Sequence, residues 1–172
     1  MAQAQVPESI RSAVDRLEIE EVMARYAAAV DARRWELLAD VFVLGAVVDF
    51  RPNGGARDEY PDIVTYLETA LAGFAAYQHY LTNFVTEVHR DEATSRFYVF
   101  TQMVTIVDGR DELMSDGGFY DARFVRTPAG WRVQELVAGL VWIDGEFPPD
   151  VPMPAWYGVS RDRYRAEPPP TP

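Results

Sequence analysis

Two residues stand out for the chemistry they could do together. Asp31 closes the run RYAAAVD, and His79 opens HYLTN within AAYQHYLTNF. The steps Met23, Ala27, Asp31 continue an apolar helical stripe rather than a wet face, so the carboxylate is expected to turn inward. An inward carboxylate is costly unless it is hydrogen-bonded or paired. Imidazole, with an ordinary pKa of about 6.5, is the natural general base at neutral pH. A carboxylate that accepts from one ring nitrogen fixes the tautomer and steadies the imidazolium. The other nitrogen is then free to take a proton. No serine elbow and no cysteine accompanies the pair, which points to elimination or isomerisation rather than acyl transfer. Each residue also has a plainer reading. Asp31-Ala-Arg-Arg-Trp resembles an N-cap ahead of residues 32–42, and His79 among its aromatics resembles a satisfied core or rim histidine. His89, in the polar turn HRDE, reads as solvated.

Other chemistries find little support. The 172 residues contain no cysteine, which removes disulfides, thiol nucleophiles, zinc–cysteine sites and iron–sulfur clusters together. With two histidines and no carboxylate spacing that suggests ligands, no metal site is expected. The pairs Gly54–Gly55 and Gly117–Gly118 are weak signals without a phosphate-loop or dinucleotide fingerprint around them. Sixteen cations, all arginine, stand against 27 acids, for a net charge of −11. That excludes the basic footprint needed for nucleic acid or an anionic membrane. No apolar run reaches transmembrane length, and MAQAQVPESIRSAVDR lacks a signal-peptide pattern, so a cytoplasmic protein is expected.

The elements that must hold these residues follow from periodicity. Residues 8–44 read as two helices with a corner near Asp31–Arg34, the first striped by Leu17, Val22, Met23, Tyr26, Ala27 and Val30. Leu37, Leu38, Val41 and Phe42 form the second stripe. AVVDF (46–50) is β-rich, residues 51–61 carry turn signals, and Pro61 opens a third helix to about Phe74. Four strands follow at 79–88, 95–107, 114–127 and 131–143, joined by HRDEAT, VDGRDE and TPAG. Helices first and an antiparallel meander afterwards define an α+β domain over residues 1–143. Residues 144–172 hold eight of the twelve prolines together with Phe147, Trp156 and Tyr157, and read as an extended tail.

RLEIEEVMARYAAAVDARRWELLADVFVLGAVVDF, HYLTNFVTEV and GGFYDARFVRTPAGWRVQE together resemble the SnoaL-like branch of the nuclear transport factor 2-like superfamily, over roughly residues 15–143. The resemblance implies a cone: a strongly curved antiparallel sheet, or α+β barrel, wrapped against three helices around an apolar pocket. Within the superfamily the chain is similar to the group of scytalone dehydratase, hexachlorocyclohexane dehydrochlorinase and bile-acid dehydratase. Those enzymes use an Asp on the first helix and a His opening a strand, and Asp31 and His79 fall at those places. Tyr26 falls where the dehydratases set a tyrosine that hydrogen-bonds substrate, and the resemblance implies no cofactor and no metal. Those enzymes also carry a second acidic or His group on the next strand, serving the leaving hydroxyl. Here that stretch is VFTQM, with Thr101 or Gln102 in place. The departure favours a leaving group that goes as an anion, or an isomerisation or cyclisation, over dehydration.

The reading is therefore a lyase or isomerase in which His79 is the base, Asp31 orients it, and Tyr26, Asn83 and Thr101 contact a small, apolar, ring-containing substrate. Asn83 enters because it lies four residues after His79, on the same face by strand alternation. The alternative is a non-catalytic binding or scaffold protein of the same fold. VFTQMVTIV and LVAGLVW are apolar on both faces in places, which predicts a homo-oligomer, trimer before dimer, as in the dehydratase group.

Overall fold

Apolar spacing along the first thirty residues produces one long helix, α1 (Glu8–Asp31), which buries Ile19, Val22, Met23, Tyr26, Ala27, Ala29 and Val30. The computed structural model describes residues 7–145. The expected corner follows: Arg33 adopts a left-handed φ of 53°, and the Arg34 N–H donates back to the Ala29 carbonyl at 2.8 Å. The second helix is shorter than its apolar stripe suggested. It is a 3₁₀ turn over Trp35–Asp40, and strand β1 (Phe42–Asp49) begins two residues later. The aromatic and β-branched residues Phe42, Val43, Val47 and Val48 suit a pleated surface better than a helix. A second 3₁₀ turn (Arg51–Asn53) ends on Gly54, whose φ of 77° a glycine adopts without strain. Strand β2 (Arg57–Glu59) occupies part of the stretch read as turn, and helix α2 spans Ile63–Leu71.

The four long strands are present and extend slightly beyond their expected bounds: β3 (Ala76–His89), β4 (Glu92–Val107), β5 (Arg110–Thr127) and β6 (Gly130–Asp144). They join β1 and β2 in one six-stranded sheet ordered β2-β1-β6-β5-β4-β3. The chain leaves β1, crosses by way of α2 to the far edge, and meanders back. For that reason β6 lies parallel to β1 while every other pairing is antiparallel. The sheet is thus mixed and unclosed, and it forms the α+β cone. Bulges in β3 between Thr82 and Val85, and in the β5–β6 pairing at Gly117/Gly118 and Arg123/Phe124, bend it.

The concave face closes over α1. Phe97, Phe124, Trp131, Val133 and Leu136 are buried there with Met23, Tyr26 and Val30. Toward the N-terminal half of α1 a polar tie crosses the seam. Asp15 of α1, 4% exposed, accepts from Arg126 at 2.7 Å and from the Trp131 indole at 3.2 Å. Among the described residues no helix is long and apolar enough to cross a membrane, and no group of three or more His, Cys, Asp or Glu could hold a metal ion. The Pro-rich tail expected at 144–172 lies almost wholly outside the described residues.

Candidate active site

The last residue of α1 meets the fourth residue of β3. His79 Nδ1 lies 2.6 Å from Asp31 Oδ1, and the His79 backbone N–H donates to Asp31 Oδ2 at 3.0 Å. A carboxylate can only accept, so Nδ1 carries a proton, and in the neutral imidazole Nε2 keeps its lone pair. Both oxygens of Asp31 are committed to one residue, which fixes the imidazole in position and in tautomer. The capping alternative for Asp31 is not realised, because Arg34 precedes the 3₁₀ turn and no side chain caps it. The pair is well sheltered, the His79 side chain being 9% exposed and that of Asp31 22%. The rings of Tyr26 and Tyr77 stand steeply inclined to the imidazole, at 71° and 85°, with centroids 6.4 and 6.3 Å away. Arg33 locks the helix end to the strand start. Its guanidinium donates to the Phe74 carbonyl and, at 3.2 Å, to the Tyr77 hydroxyl, and lies over the Tyr77 ring.

His79 opens onto a cavity of about 100 Å³, lined also by Asn53, Leu71, Val99, Thr101, Met103, Asp116, Gly118, Tyr120, Gly139 and Leu140. Pockets for drug-sized ligands run to roughly 300–1,000 Å³, so this one suits a single small ring. A larger open groove, about 1070 Å³, follows the N-terminal half of α1 past Arg11, Asp15 and Arg126, and contains neither member of the pair.

Strand register assembles the polar wall. Thr101 of β4 stands opposite His79 on one side and Asp116 of β5 on the other, so all three side chains share the concave face. Burial pushes the Asp116 carboxyl above its ordinary 3.8. The Thr101 hydrogen bonds and the nearby His79 only partly offset this. Beyond Asp116, Tyr120 lines the cavity and its hydroxyl is hydrogen-bonded to that of Tyr26. Burial raises both phenols, which therefore remain neutral donors. Gly118 makes room at the base. A Cβ there would stand 2.1 Å from the Gly139 carbonyl oxygen, which only a glycine permits.

Of the five residues expected at the site, Asp31, His79 and Thr101 converge on it. Tyr26 stands behind the cavity wall, and its partner Tyr120 is the phenol that reaches the space. Asn83 is displaced altogether. It falls in the β3 bulge with φ 56°, exposed, accepting only from the Thr82 hydroxyl, because the bulge breaks the alternation from which its face was inferred. Asp116 was missed, although the signal existed. Asp108–Gly109 is a two-residue turn with φ of 50° and 74°, and that turn sets Val107 against Arg110 and so Thr101 against Asp116.

A curved sheet folded over one long helix, with an Asp–His pair at the mouth of a small cavity, defines a cone-fold domain with an enzyme-like pocket. Residues 11–137 match the SnoaL-like domain, and the chain belongs to that family. It is 41% identical to the Mycobacterium tuberculosis protein Rv2910c over 125 residues, 73% of this chain and 84% of that one. Among solved structures it is similar to a hexachlorocyclohexane dehydrochlorinase, LinA type 2, with a TM-score of 0.70 and 17% identity over 86% of this chain and 99% of the other. It is also similar to the Kfla4162 protein of Kribbella flavida, with a TM-score of 0.70 and 28% identity over 77% and 95% of the respective chains. At 17% identity the dehydrochlorinase likeness is one of fold.

Proposed function

We propose that the chain is a cofactor-independent lyase or isomerase acting on a small ring-containing carbon acid. His79 Nε2 removes a proton from carbon, and Asp31 holds the ring and stabilises the imidazolium. In an elimination, the electrons of the broken C–H bond form the new double bond as the neighbouring leaving group departs. In its protonated form, which burial favours, Asp116 donates its proton to a leaving oxygen, which goes as water. Both groups are reset by returning the His79 proton to Asp116 through solvent. The acid that β4 lacks is therefore supplied from β5. Thr101 and Tyr120 position the substrate oxygen. The observation that carries the reading is the 2.6 Å Nδ1–Oδ1 contact with the imidazole facing the cavity. The dehydrochlorinase with the same fold supports a proton-abstraction class without fixing the substrate.

The test is to screen small hydroxylated and halogenated rings for turnover and for hydrogen–deuterium exchange at carbon in D₂O. His79→Ala should abolish both. Full turnover in that variant would sink the assignment. A non-catalytic container predicts binding without exchange in either protein.

The reading includes assembly with further copies, trimer before dimer. On the face opposite the cavity, Tyr80, Phe100 and Trp142 form a row across the sheet, with centroids 5.8 and 5.7 Å apart. Gly117 leaves the space over β5 that the Trp142 ring fills. Tyr98, Val85 and Val141 are exposed at 53%, 69% and 55%. Exposed apolar area of this kind marks interaction surfaces.

A further inference from the structure

We propose that Arg33 is a positioning residue that sets the contact between Asp31 and His79. The inference rests on the reading that this pair does the chemistry. Arg33 occupies a position that glycine would fill with less strain. The Arg33 N–H donates to the Val30 carbonyl at 2.9 Å, and the Arg34 N–H donates to the Ala29 carbonyl at 2.8 Å. That pattern closes a helix through one left-handed residue, and Arg33, with φ 53°, is that residue. An L side chain adopts the conformation at a cost that glycine avoids. The turn itself therefore gives no reason for an arginine. The reason lies in what the side chain reaches.

The guanidinium grips the chain as it enters β3. One arm donates to the Phe74 carbonyl, Nε donates to the Tyr77 hydroxyl at 3.2 Å, and the group lies 5.1 Å from the centre of the Tyr77 ring. Phe74 and Tyr77 are both buried, and between them the Ala75 N–H donates to the Val104 carbonyl of β4 at 2.7 Å, so the anchor is firm. The result is two rungs. Asp31 and Arg33 stand two residues apart on one side, and His79 and Tyr77 two residues apart on the other. Among the described residues, Asp31 and Arg33 make every side-chain hydrogen bond between residues 31–34 and 74–79. Asp31 is the last residue of α1, and helix ends fray. Held by the Asp31 rung alone, the helix end could swing about its single contact with His79. The Arg33 rung removes that freedom. A catalytic pair needs its geometry held to within about 0.5 Å by supporting residues. Arg33 touches no reacting atom and acts through Tyr77 and the Phe74 carbonyl.

The experiment follows the His79 Nδ1 proton by ¹⁵N-edited NMR in the full chain, without substrate, in the wild type, Arg33→Gly and Tyr77→Phe. Glycine suits the left-handed turn, so Arg33→Gly removes the tie and keeps the bend. Exchange of that proton with water should become about tenfold faster, the ratio that one lost charge-assisted hydrogen bond supports. The tautomer protonated at Nε2 should appear beside the one protonated at Nδ1. Tyr77→Phe removes one of the two acceptors and keeps the ring, and should move both signals the same way by less. An unchanged proton in Arg33→Gly overturns the proposal, as does one unchanged in Tyr77→Phe where Arg33→Gly does not fold. So does exchange at His79 that rises only in step with the backbone amides across α1 and β3, because Arg33 would then hold the fold and not the pair. The readout needs no turnover, so activity retained without His79 refutes the proposed function and leaves this result standing, and the converse also holds.

Discussion

Replacing Asp31 by Asn tests the site at its most constrained point. The two oxygens of Asp31 take hydrogens from Nδ1 at 2.6 Å and from the His79 backbone N–H at 3.0 Å. A carboxamide has one acceptor end. The backbone N–H has only its hydrogen to offer, so the amide oxygen must turn to it, and the NH₂ group then faces Nδ1. Nδ1 must become an acceptor, and the ring proton moves to Nε2, where the lone pair used for catalysis had been. Two losses follow. A hydrogen bond to a charged partner, about 1.5–3 kcal/mol, no longer steadies the imidazolium, which is roughly 10- to 150-fold in rate. The inverted tautomer costs more, and in serine proteases the equivalent change lowers kcat about 10⁴-fold. Turnover should therefore fall by about 10²–10⁴-fold, while the fold keeps its hydrogen-bond count. The tautomer is observable without a substrate. The chain has two histidines, so ¹⁵N spectra of the imidazoles carry two sets of signals, and His79→Ala assigns them. The protonated nitrogen of His79 should switch from Nδ1 to Nε2. An unchanged tautomer in Asp31→Asn, or turnover within a few-fold of wild type, refutes the reasoning.

Asp116→Asn should lower turnover of hydroxylated substrates far more than of halogenated ones, since a halide leaves without a proton; equal effects would remove the acid role. The same variant has a stability signature. The folded Asp116 carboxyl is raised above its ordinary 3.8, so it contributes stability that is complete below that value and is lost as pH rises through the raised one. The Tm difference between variant and wild type should grow in favour of Asp116→Asn across that window, and a flat difference would contradict the burial argument. Gly118→Ala places a methyl 2.1 Å from the Gly139 carbonyl oxygen and should destabilise by about 1–3 kcal/mol, with Tm falling about 2–4 °C per kcal/mol in thermal denaturation. Asp15→Ala leaves Arg126 and the Trp131 indole without their shared acceptor and should cost about 2–4 kcal/mol in urea unfolding with no change at His79. The unpartnered aromatic row predicts association at micromolar concentration, and a stable monomer in sedimentation would remove it.

The α+β order, the corner after Asp31, the four long strands and the Asp–His pair were legible because each is a local pattern: a helical stripe, a run of alternation, a residue type. The errors have non-local causes. The stripe from Leu37 to Phe42 looked helical, yet the Val133 N–H donating to the Val41 carbonyl at 2.8 Å draws the chain toward the sheet. The parallel β1–β6 pairing depends on where the crossover lands, which no residue spacing records. Asn83 was assigned by unbroken alternation and lost to one bulge. Tyr26 was placed at the substrate by likeness, but a second tyrosine from β5 stands between it and the cavity. Asp116 reaches the site only through strand pairing.

Asp116 changes the chemistry the site can support. An Asp–His pair alone suffices where the leaving group is a stable anion or where a proton merely moves between carbons. Expelling hydroxide is a different problem, because the departing oxygen must be protonated as it leaves. His79 and Asp116 sit on β3 and β5 with Thr101 of β4 between them, and neighbouring strands are about 4.8 Å apart, so base and acid rise from backbones roughly 10 Å apart across the concave face. A small ring lying over Thr101 can present its C–H to one and its C–O to the other at the same time. A buried carboxyl without the dyad would be a misplaced acid, and the dyad without it a base whose leaving group must depart unaided. Under the proposed function, the arrangement suits a hydroxylated ring, whose leaving oxygen takes its proton from Asp116.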